Sequence, residues 1–301
     1  MTLLTLKNRA SAMYGGTNGF AALISHTTDE ISKASSYLAD YLLDPATANQ
    51  VNVDKSPWQI GHHTQKVCWE WIAQEEWRVN RFASAMLAAN SLGGGIKGVA
   101  FEGGFDFQGL KDGAILVDVG SGVGAASLVL HKVAPHINLI LQDRPEVISG
   151  ETTKTFEGAA STALESGQIK LQEHDFFKPQ PIKHADVYFL RAIIHDWPDH
   201  DAKTILRHLA DAADSNTQLV VVEHVVKSLA PTESASQSVL IVQSPPIPYH
   251  LDLQMMCALN AQERTKEHFQ DLFKSAGWEL KRIGTGAPDA PHHFICQLAR
   301  H

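Results

Sequence analysis

Cysteine and clustered basic charge are both scarce in this sequence of 301 residues. Its three cysteines, Cys68, Cys257 and Cys296, lie far apart and form no CxxC pair. This argues against a disulfide framework and against a thiolate zinc site, and it fits a reducing compartment. The net charge is −8 and no basic run is present. Because phosphate binding needs clustered lysine and arginine, nucleic acid is not expected as a partner.

Long apolar runs are also missing. No stretch reaches the ~18 consecutive apolar residues of a membrane-spanning helix, and the run after Met1 is too short for a signal peptide. The composition, 44% hydrophobic and 19% charged, is ordinary for a globular protein with a real core. We therefore expect a soluble, cytoplasmic protein without a membrane partner, built as one large domain or as one domain with an appendage.

Histidine, in contrast, is abundant, with 16 residues. Adjacent pairs occur at 62–63 and 292–293, and the stretch HDWPDHD at 195–201 mixes histidine with aspartate. None of these has the HExxH spacing of a zinc site, and no third ligand is implied. The sequence therefore predicts no metal held by the protein.

Residues 1–110 have a helical pattern without strand-like alternation. A helix is predicted over 27–44, with Thr28 as its N-cap and two acidic residues in its first turn. One long helix, or two abutting helices, is predicted over 65–92, and three glycines at 93–95 end it. We assign the aromatic side chains of this stretch to the core or to a subunit interface.

From residue 114 onward, apolar runs of strand length alternate with helical stretches. This alternation predicts an α/β fold with a parallel sheet and right-handed crossovers, occupying residues 111–301. A Ser/Pro-rich loop is predicted over 227–249, and two antiparallel strands after Gly277. The predicted strands are 114–120, 138–143, 169–175, 185–192 and 217–226, and the predicted helices are 122–133, one opening at Pro145, 199–213, 250–260 and 263–277.

The glycine turn VDVGSGVG at 117–124 is the strongest local motif. It satisfies the dinucleotide fingerprint, with Asp143 at the tip of the next strand to bind a ribose. Two details favour a different ligand. Asp118 lies two positions before Gly120, and the third glycine follows at a spacing of two instead of three. Both features suit an adenosyl amino acid better than a dinucleotide.

Together with four further motifs, this turn resembles the S-adenosylmethionine-dependent O-methyltransferases of the plant caffeate and flavonoid type, and most closely their relatives in fungal secondary metabolism. The resemblance covers about residues 20–300. It implies a Rossmann-like, seven-stranded methyltransferase sheet with an all-helical N-terminal region. The five motifs, in chain order, are VDVGSGVG, LQDRPEVI, EHDFFKPQP, ADVYFLRAIIHDWPD and NAQERTKEHFQDLFKSAGW.

The resemblance also implies S-adenosylmethionine as the cofactor and assigns residues to it. A carboxylate is the natural bidentate acceptor for the two ribose hydroxyls, and an aromatic face stacks on a purine. The glycine turn would hold the methionine part, and a helix N-cap is the alternative role for Asp175. The implied cofactor residues are Asp118, Gly120, Gly122, Asp143, Arg144, Asp175, Phe176 and Arg191.

His195 takes the position of the family's general base. An imidazole that removes a phenolic proton contributes roughly 10²–10⁴-fold to the rate. The alternative is a surface histidine that caps the helix after Pro198. Glu223 and Glu263 match positions that flank this histidine, where a carboxylate fixes the tautomer. We expect Glu223 to be that partner, and a first-turn helix residue is the alternative role for Glu263.

The acceptor pocket is assigned by the same resemblance to Phe82, Met86, Asp196 and Asn260. A core role is the alternative for Phe82 and Met86. Typical relatives carry a winged-helix dimerisation region at their N-terminus, and we expect this chain to begin after most of that region. A homodimer is expected through the aromatic-rich helices of residues 27–92.

The implied activity is methylation of a hydroxyl group on an aromatic or polyketide-like small molecule. Two alternatives stay open. Some fungal relatives are methyltransferase-like pericyclases, which use the cofactor's charge without transferring its methyl group. A catalytically silent binding protein is the other.

Overall fold

Helices make up the first part of the chain. The computed structural model describes residues 19–92, 98–227, 246–286 and 290–299. Phe20–Ser25 (α1) and Ser32–Ser35 (α2) are joined by a wider, π-helical segment, His26–Ile31. The remaining helices of this region are Leu38–Leu43 (α3), Pro57–Gly61 (α4), Cys68–Ala73 (α5) and Glu76–Leu92 (α6).

The start of the first helix differs from the prediction. Thr28 is not an N-cap, since it lies inside the π-helical segment and its hydroxyl donates to the carbonyl of Ile24 at 2.7 Å. Threonine can satisfy its hydroxyl on the preceding turn of a helix as well as at a helix start. Of the two alternatives for residues 65–92, one long helix or two abutting helices, the second is found, as α5 and α6. The glycines at 93–95 lie outside the described residues.

The second part of the chain forms one sheet in the order β3-β2-β1-β4-β5-β7-β6. β1 to β5 are parallel, and β7 runs antiparallel to both β5 and β6. The predicted α/β class and the antiparallel edge are confirmed. The strands are Ile115–Val119 (β1), Asn138–Asp143 (β2), Ile169–Glu173 (β3), Val187–Arg191 (β4), Gln218–Glu223 (β5), Trp278–Gly284 (β6) and His292–Leu298 (β7).

Helices cover both faces of this sheet. A π-helical segment, Ile148–Thr152, continues α8. None of the helices in the described parts of the chain is long and apolar enough to cross a membrane. The helices are Ala125–Val133 (α7), Pro145–Val147 (α8), Thr153–Ala159 (α9), Ser161–Glu165 (α10), Asp199–Ala210 (α11), Pro246–Leu259 (α12) and Lys266–Ser275 (α13).

Three of these helices start elsewhere than the sequence predicts. α7 starts at Ala125, because the glycines before it adopt left-handed backbone angles. α12 starts at Pro246, inside the predicted loop, whose residues 228–245 lie outside the described ranges. α13 starts at Lys266, with the Thr265 hydroxyl accepting from the backbone N–H of His268. Glu263 is therefore not a first-turn residue.

In the described parts of the chain, buried apolar side chains form three clusters. Two of them lie on the two faces of the sheet, and the second includes Val99 and Phe107 from before β1. The third joins the N-terminal helices to α12 and contains Trp58, Ile72 and Met255. α12 thus packs with the N-terminal helices although it comes late in the chain. The domain boundary between residues 110 and 111 stays a prediction.

Candidate active site

The glycine turn after β1 shapes one wall of the site. Gly120 and Gly122 have left-handed φ angles of 73° and 55°, which glycine adopts without strain. A Cβ on Gly120 would lie 2.5 Å from Cδ1 of Ile193, whereas a Cβ on Gly122 would meet nothing within 4 Å. Gly120 therefore allows the turn to pack against the segment after β4, and Gly122 faces open space in which a ligand can approach the backbone.

Asp143, at the end of β2, is tied to this turn. Its Oδ2 accepts from the backbone N–H of Gly122 and its Oδ1 from that of Arg144, both at 2.8 Å. Burial raises the pKa of Asp143, and these two N–H groups partly oppose that effect. Each oxygen keeps a further lone pair, so the carboxylate can still accept two hydroxyl groups from a ribose.

Asp118 lies beneath the turn, on β1. It is 2% exposed and accepts a hydrogen bond from the Ser127 hydroxyl at 2.6 Å. Burial raises its pKa to about 6. Burial lowers the pKa of Arg191, at the end of β4, while Asp118 and Glu223 act in the opposite direction. The charges needed to hold an amino acid, carboxylate and guanidinium, are thus both present beside the glycine turn.

The segment after β3 turns without forming a helix. Oδ1 of Asp175 accepts from the backbone N–H of Phe177 at 2.9 Å, and the Asp175 carbonyl accepts from Lys178 at 2.8 Å. The helix N-cap considered for Asp175 is therefore wrong, since its side chain caps a turn. The Phe176 ring lies close to Gly120, because a Cβ there would be 3.6 Å from its Cε1. Adenine stacking by Phe176 stays a prediction.

His195 lies on a short 3₁₀ turn, Ile194–Asp196, between β4 and α11. Its side chain is 12% exposed, and its Nδ1 is 2.7 Å from Oε1 of Glu263, a contact in which the carboxylate accepts. Its Nε2 is 3.6 Å from Oδ1 of Asp196. The alternative of a surface histidine that caps α11 is wrong, because the N-cap is Pro198 and the imidazole is largely buried.

Glu223 and Glu263 make different contacts around this imidazole: Glu223 binds the backbone of the turn, and Glu263 binds the imidazole itself. Oε1 of Glu223 accepts from three successive backbone N–H groups, those of Ile193, Ile194 and His195, at 3.0, 2.7 and 3.3 Å. Its Oε2 is 3.9 Å from the imidazole Nδ1. The expectation that Glu223 is the hydrogen-bond partner is therefore wrong. Glu263 takes that part, because its Oε1 is 2.7 Å from the imidazole Nδ1, whereas the nearer Glu223 oxygen is too far away for a hydrogen bond.

The charges around His195 make its imidazole hold a proton tightly. Burial lowers the pKa of His195, but Glu223, Glu263 and Asp196 together raise it well above its ordinary value. Burial raises the pKa of Asp196 to about 7 and also raises that of Glu223. Three acidic side chains surround one imidazole, so the positive charge that forms when His195 takes up a proton is compensated locally.

The same cluster has the spacing of a metal site. His195, Glu223 and Glu263 each offer one possible ligand atom, and these atoms lie within 4.8 Å of one another. Among the described residues, no other three histidine, cysteine or acidic side chains come together in this way. Oε2 of Glu263 is buried without a hydrogen-bond partner. Other atoms of the group are already engaged, since Nδ1 of His195 contacts Glu263 and Oε1 of Glu223 binds the turn.

Two of the proposed acceptor residues, Phe82 and Met86, lie in the helical region, whereas Asp196 lies on the His195 turn. Phe82, on α6, packs edge-on against the rings of His26 and Trp69, with centroid distances of 5.4 and 5.3 Å. Met86 is half-buried on the same helix. The carbonyl of Trp69 lies 3.5 Å from Nη1 of Arg144, which places this aromatic group next to the end of β2. Acceptor binding by Phe82 and Met86 stays a prediction.

Asn260, after α12, is engaged within the protein. Its side-chain nitrogen donates to the Tyr41 hydroxyl at 2.8 Å and to the carbonyls of Asn52 and Lys55 at 3.0 Å each. Its backbone has a left-handed φ of 50°. Contact with an acceptor stays a prediction for Asn260, and its observed bonds fasten α12 to the N-terminal helices.

Sequence reasoning missed two contributors. Arg264 is fully buried against the His195 turn, and Gly124, with φ 76°, precedes α7 where a Cβ would lie 2.2 Å from the Phe156 ring. The signal for Gly124 was the third glycine of the motif. Arg264 gave no signal, because an arginine near a helix start usually lies in solvent.

The sheet order, with β7 inserted between β5 and β6, and a ligand edge built from a glycine turn and strand-end carboxylates define a class I methyltransferase fold. Within that class, residues 41–279 match the profile of the O-methyltransferase domain. The chain belongs to this O-methyltransferase family, whose members use S-adenosylmethionine as methyl donor.

Named relatives are fungal. The chain is 32% identical to an O-methyltransferase of Armillaria gallica, over 92% of this chain and 62% of the relative. It is 33% identical to 4-O-methyltransferase 1 of Phanerochaete chrysosporium, over 89% and 59%, and 31% identical to O-methyltransferase gedA of Aspergillus terreus, over 92% and 64%. The chain thus spans about three fifths of the length of these relatives.

Solved structures share the fold. LepI in complex with SAM is 25% identical with a TM-score of 0.73, over 92% of this chain and 67% of that one. OxaC in complex with SAH and oxaline has a TM-score of 0.75 at 21% identity, over 96% and 68%. The second likeness concerns the fold alone.

Proposed function

We propose that this chain is an S-adenosylmethionine-dependent O-methyltransferase acting on a hydroxyl group of an aromatic or polyketide-like small molecule in secondary metabolism. The observation that carries the proposal is the position of the His195 imidazole, which is largely buried and lies next to the glycine turn. Its Nδ1 is bonded to Glu263, and its turn packs through Ile193 against the glycine turn of the cofactor edge. The names of the fungal relatives support the same activity.

The cofactor edge fits an adenosyl amino acid. Gly122 leaves open space beside the backbone, Asp143 retains acceptor capacity for a ribose, and Asp118 with Arg191 supplies both charges for the amino-acid part. Asp175 and Phe176 would flank the adenine. When bound, the cofactor supplies an electrophilic methyl group on a sulfonium centre. The residues of this edge bind and orient it.

His195 acts as the general base in this proposal. Because its Nδ1 engages Glu263, its Nε2 is the nitrogen that takes the proton from the acceptor hydroxyl. Glu223 holds the backbone of the turn, so the imidazole does not have to be ordered during the reaction. We assign the acceptor pocket to Phe82 and Met86, with Asp196 and Asn260 at its polar end.

We also propose a homodimer in the cytoplasm. Of the eight exposed large apolar side chains in the described residues, seven belong to residues 24–87. Leu43, at 81% exposed, is the most accessible of them. Apolar side chains concentrated on one region of a surface favour an interface with another subunit.

Pericyclic catalysis is the second candidate. It is favoured by the raised pKa of His195, since the nearby carboxylates stabilise the protonated imidazole, and by the similarity to LepI. In such a reaction His195 and Arg191 would stabilise developing negative charge without accepting a proton. A catalytically silent binding protein is the third reading.

A pair of variants tests the proposal, with a panel of phenols and phenolic polyketides as acceptors and S-adenosylhomocysteine as the measured product. We expect His195→Ala to bind the cofactor as wild type does while product formation falls by about 10²–10⁴-fold. Asp143→Asn should bind it roughly tenfold to 150-fold more weakly, because it loses charge-assisted hydrogen bonds. Glu173→Gln, at the exposed end of β3 opposite Asp143, is the matched control.

Three outcomes separate the candidates. Near-normal methylation by His195→Ala would show that the acceptor loses its proton by another route. A rearranged product with the cofactor's methyl group still in place would identify a pericyclase. Cofactor binding without any turnover would leave a binding protein. EDTA should not change the rate, and a loss that zinc restores would reassign the His195 cluster to a metal.

A further inference from the structure

The segment that carries His195 is too short to fix its own position. Ile194–Asp196 is a single 3₁₀ turn between a strand and a helix, and such turns have poor internal hydrogen bonds. Glu223 binds its N–H groups from the side of the sheet. Its carbonyl groups need partners as well, because buried backbone acceptors are costly when unpaired.

Arg264 supplies those partners. Its guanidinium is fully buried, and Nη1 donates to the carbonyl of Ile194 at 2.8 Å while Nη2 donates to that of Trp197 at 2.7 Å. These two carbonyls bracket His195 and Asp196. The turn is thus held on its N–H side by a carboxylate and on its C=O side by a guanidinium.

Arg264 is itself fixed in place. Its Nε and Nη2 donate to Oδ1 of Asp199 at 3.0 and 2.8 Å, and His268 contacts the other oxygen of Asp199 at 2.8 Å. The His268 hydrogen bond, followed by Arg264, lowers the pKa of Asp199 to about 2. The carboxylate therefore stays ionised at any pH at which the enzyme would work, and the pair with Arg264 persists.

The neighbouring residue is Glu263, the partner of the imidazole. The backbone N–H of Glu263 donates to Asp252 at 2.9 Å, and the carbonyl of Arg264 accepts from Val226 at 3.2 Å. One short segment therefore determines both the position of the Glu263 carboxylate and the position of the turn that presents His195 to it.

We propose that Arg264 is a positioning residue. It fixes the His195 turn relative to the Glu263 carboxylate, so that Nδ1 of His195 is hydrogen-bonded to Glu263 and Nε2 faces the acceptor. The effect on turnover rests on the proposed function, whereas the effect on the imidazole does not. The planar fork of arginine is required, because a lysine ammonium is a point charge that cannot span both carbonyls and Asp199 in fixed directions.

Arg264→Lys tests this inference, with Arg207→Lys, an exposed arginine on α11, as the matched control. The titration of His195 is followed by NMR of the imidazole without acceptor. The groups that raise its pKa are Glu223, Glu263 and Asp196. If the turn moves away from them, the pKa of His195 falls toward its ordinary value in Arg264→Lys and stays raised in the control.

Turnover gives a second readout. We expect kcat of Arg264→Lys to fall by roughly 10–100-fold, since a displacement of about 1 Å can cost 10²-fold, with acceptor KM and cofactor Kd nearly unchanged. A lower melting temperature with an unchanged His195 pKa and kcat would show a merely structural role and overturn the proposal. A changed pKa in an enzyme that methylates nothing would preserve the proposal and reject the proposed function.

If Arg264→Lys does not fold, Asp199→Asn replaces it. This variant leaves the guanidinium in place and removes the charge that aligns it. The same fall in the pKa of His195, to a smaller extent, supports the positioning role, and an unchanged titration overturns it.

Discussion

Two buried carboxyl groups, one in each part of the molecule, have pKa values that are shifted in opposite directions. Glu30, in the helical region, is 1% exposed and contacts both His26 and Arg81. Burial raises its pKa, but these two partners outweigh burial and the pKa is lowered. Asp118, in the sheet, is equally buried with a hydroxyl as its hydrogen-bond donor, and burial raises its pKa to about 6.

The pKa values of other carboxyl groups near the glycine turn and His195 are raised, like that of Asp118. Burial raises the pKa of Asp143, Asp196 and Glu223, so that ionising each of them costs free energy in the folded protein. The helical region thus compensates its buried charge internally. At the sheet edge, in contrast, burial outweighs the nearby positive charges and the pKa values of the carboxyl groups stay raised, which is typical of a site arranged for binding and catalysis.

The largest change in stability should come from removing Arg81, the ion-pair partner of Glu30. Arg81→Met leaves a buried carboxylate beside His26, and we expect a loss of about 3–5 kcal/mol in the free energy of unfolding, measured in urea. Arg78→Met is the matched control, because Arg78 is half-buried over the ring of Trp71. Equal losses in the two variants would show that Glu30 does not depend on its ion pair.

A change of opposite sign is expected at Asp118. Its folded pKa of about 6 lies above its ordinary 3.8, so the protonated carboxyl favours the folded state, and this stability is lost as pH rises through 6. Asp118→Asn should therefore be more stable than wild type at pH 8, by an amount on the order of 3 kcal/mol, and should bind the cofactor more weakly.

Urea unfolding between pH 4 and 8 gives the measurement. The difference between Asp118→Asn and wild type should grow from pH 4 to about pH 6 and then level off, while Asp112→Asn, at an exposed position before β1, serves as the control. A difference that is constant across this range would mean that Asp118 is ionised in the folded protein throughout, and the contrast with Glu30 would disappear.

The smallest effect on the fold is expected at Leu43. Leu43→Lys changes an exposed side chain, so the stability of one subunit should move by less than about 0.5 kcal/mol. If the helical region forms the dimer interface, light scattering at micromolar concentration should show a dimer for wild type and a lower mass for the variant. A wild-type monomer would contradict the proposed homodimer.

The sheet could be predicted from sequence because its strands are short, continuous apolar runs separated by turn residues. The strands predicted at 138–143 and 217–226 correspond to β2 and β5, although β5 ends at Glu223. The helical region was less predictable. Its first helix begins before the polar stretch that the sequence predicts as its start. The cluster of His26, Glu30 and Arg81 depends on the packing of α6 against the π-helical segment.

In the site, the sequence identified which residues meet but not how they pair. The motifs indicated His195, Glu223 and Glu263, yet the assignment of Glu263 to the imidazole and Glu223 to the backbone depends on the distance from each carboxylate to a turn. The part of Arg264 could not be predicted either. A buried arginine and an exposed one have the same sequence context, and only the tertiary fold distinguishes them.

The place of β7 in the sheet has a consequence for biosynthesis. β5, which ends at Glu223, pairs along its whole length with residues 292–297, and these are translated long after it. Until they leave the ribosome, β5 has an open edge, and β6 has no strand to join it to the sheet. A nascent chain that stops short of residue 292 therefore cannot complete the sheet, so β5, which places Glu223 beneath the His195 turn, is paired on both edges only after β7 has been made.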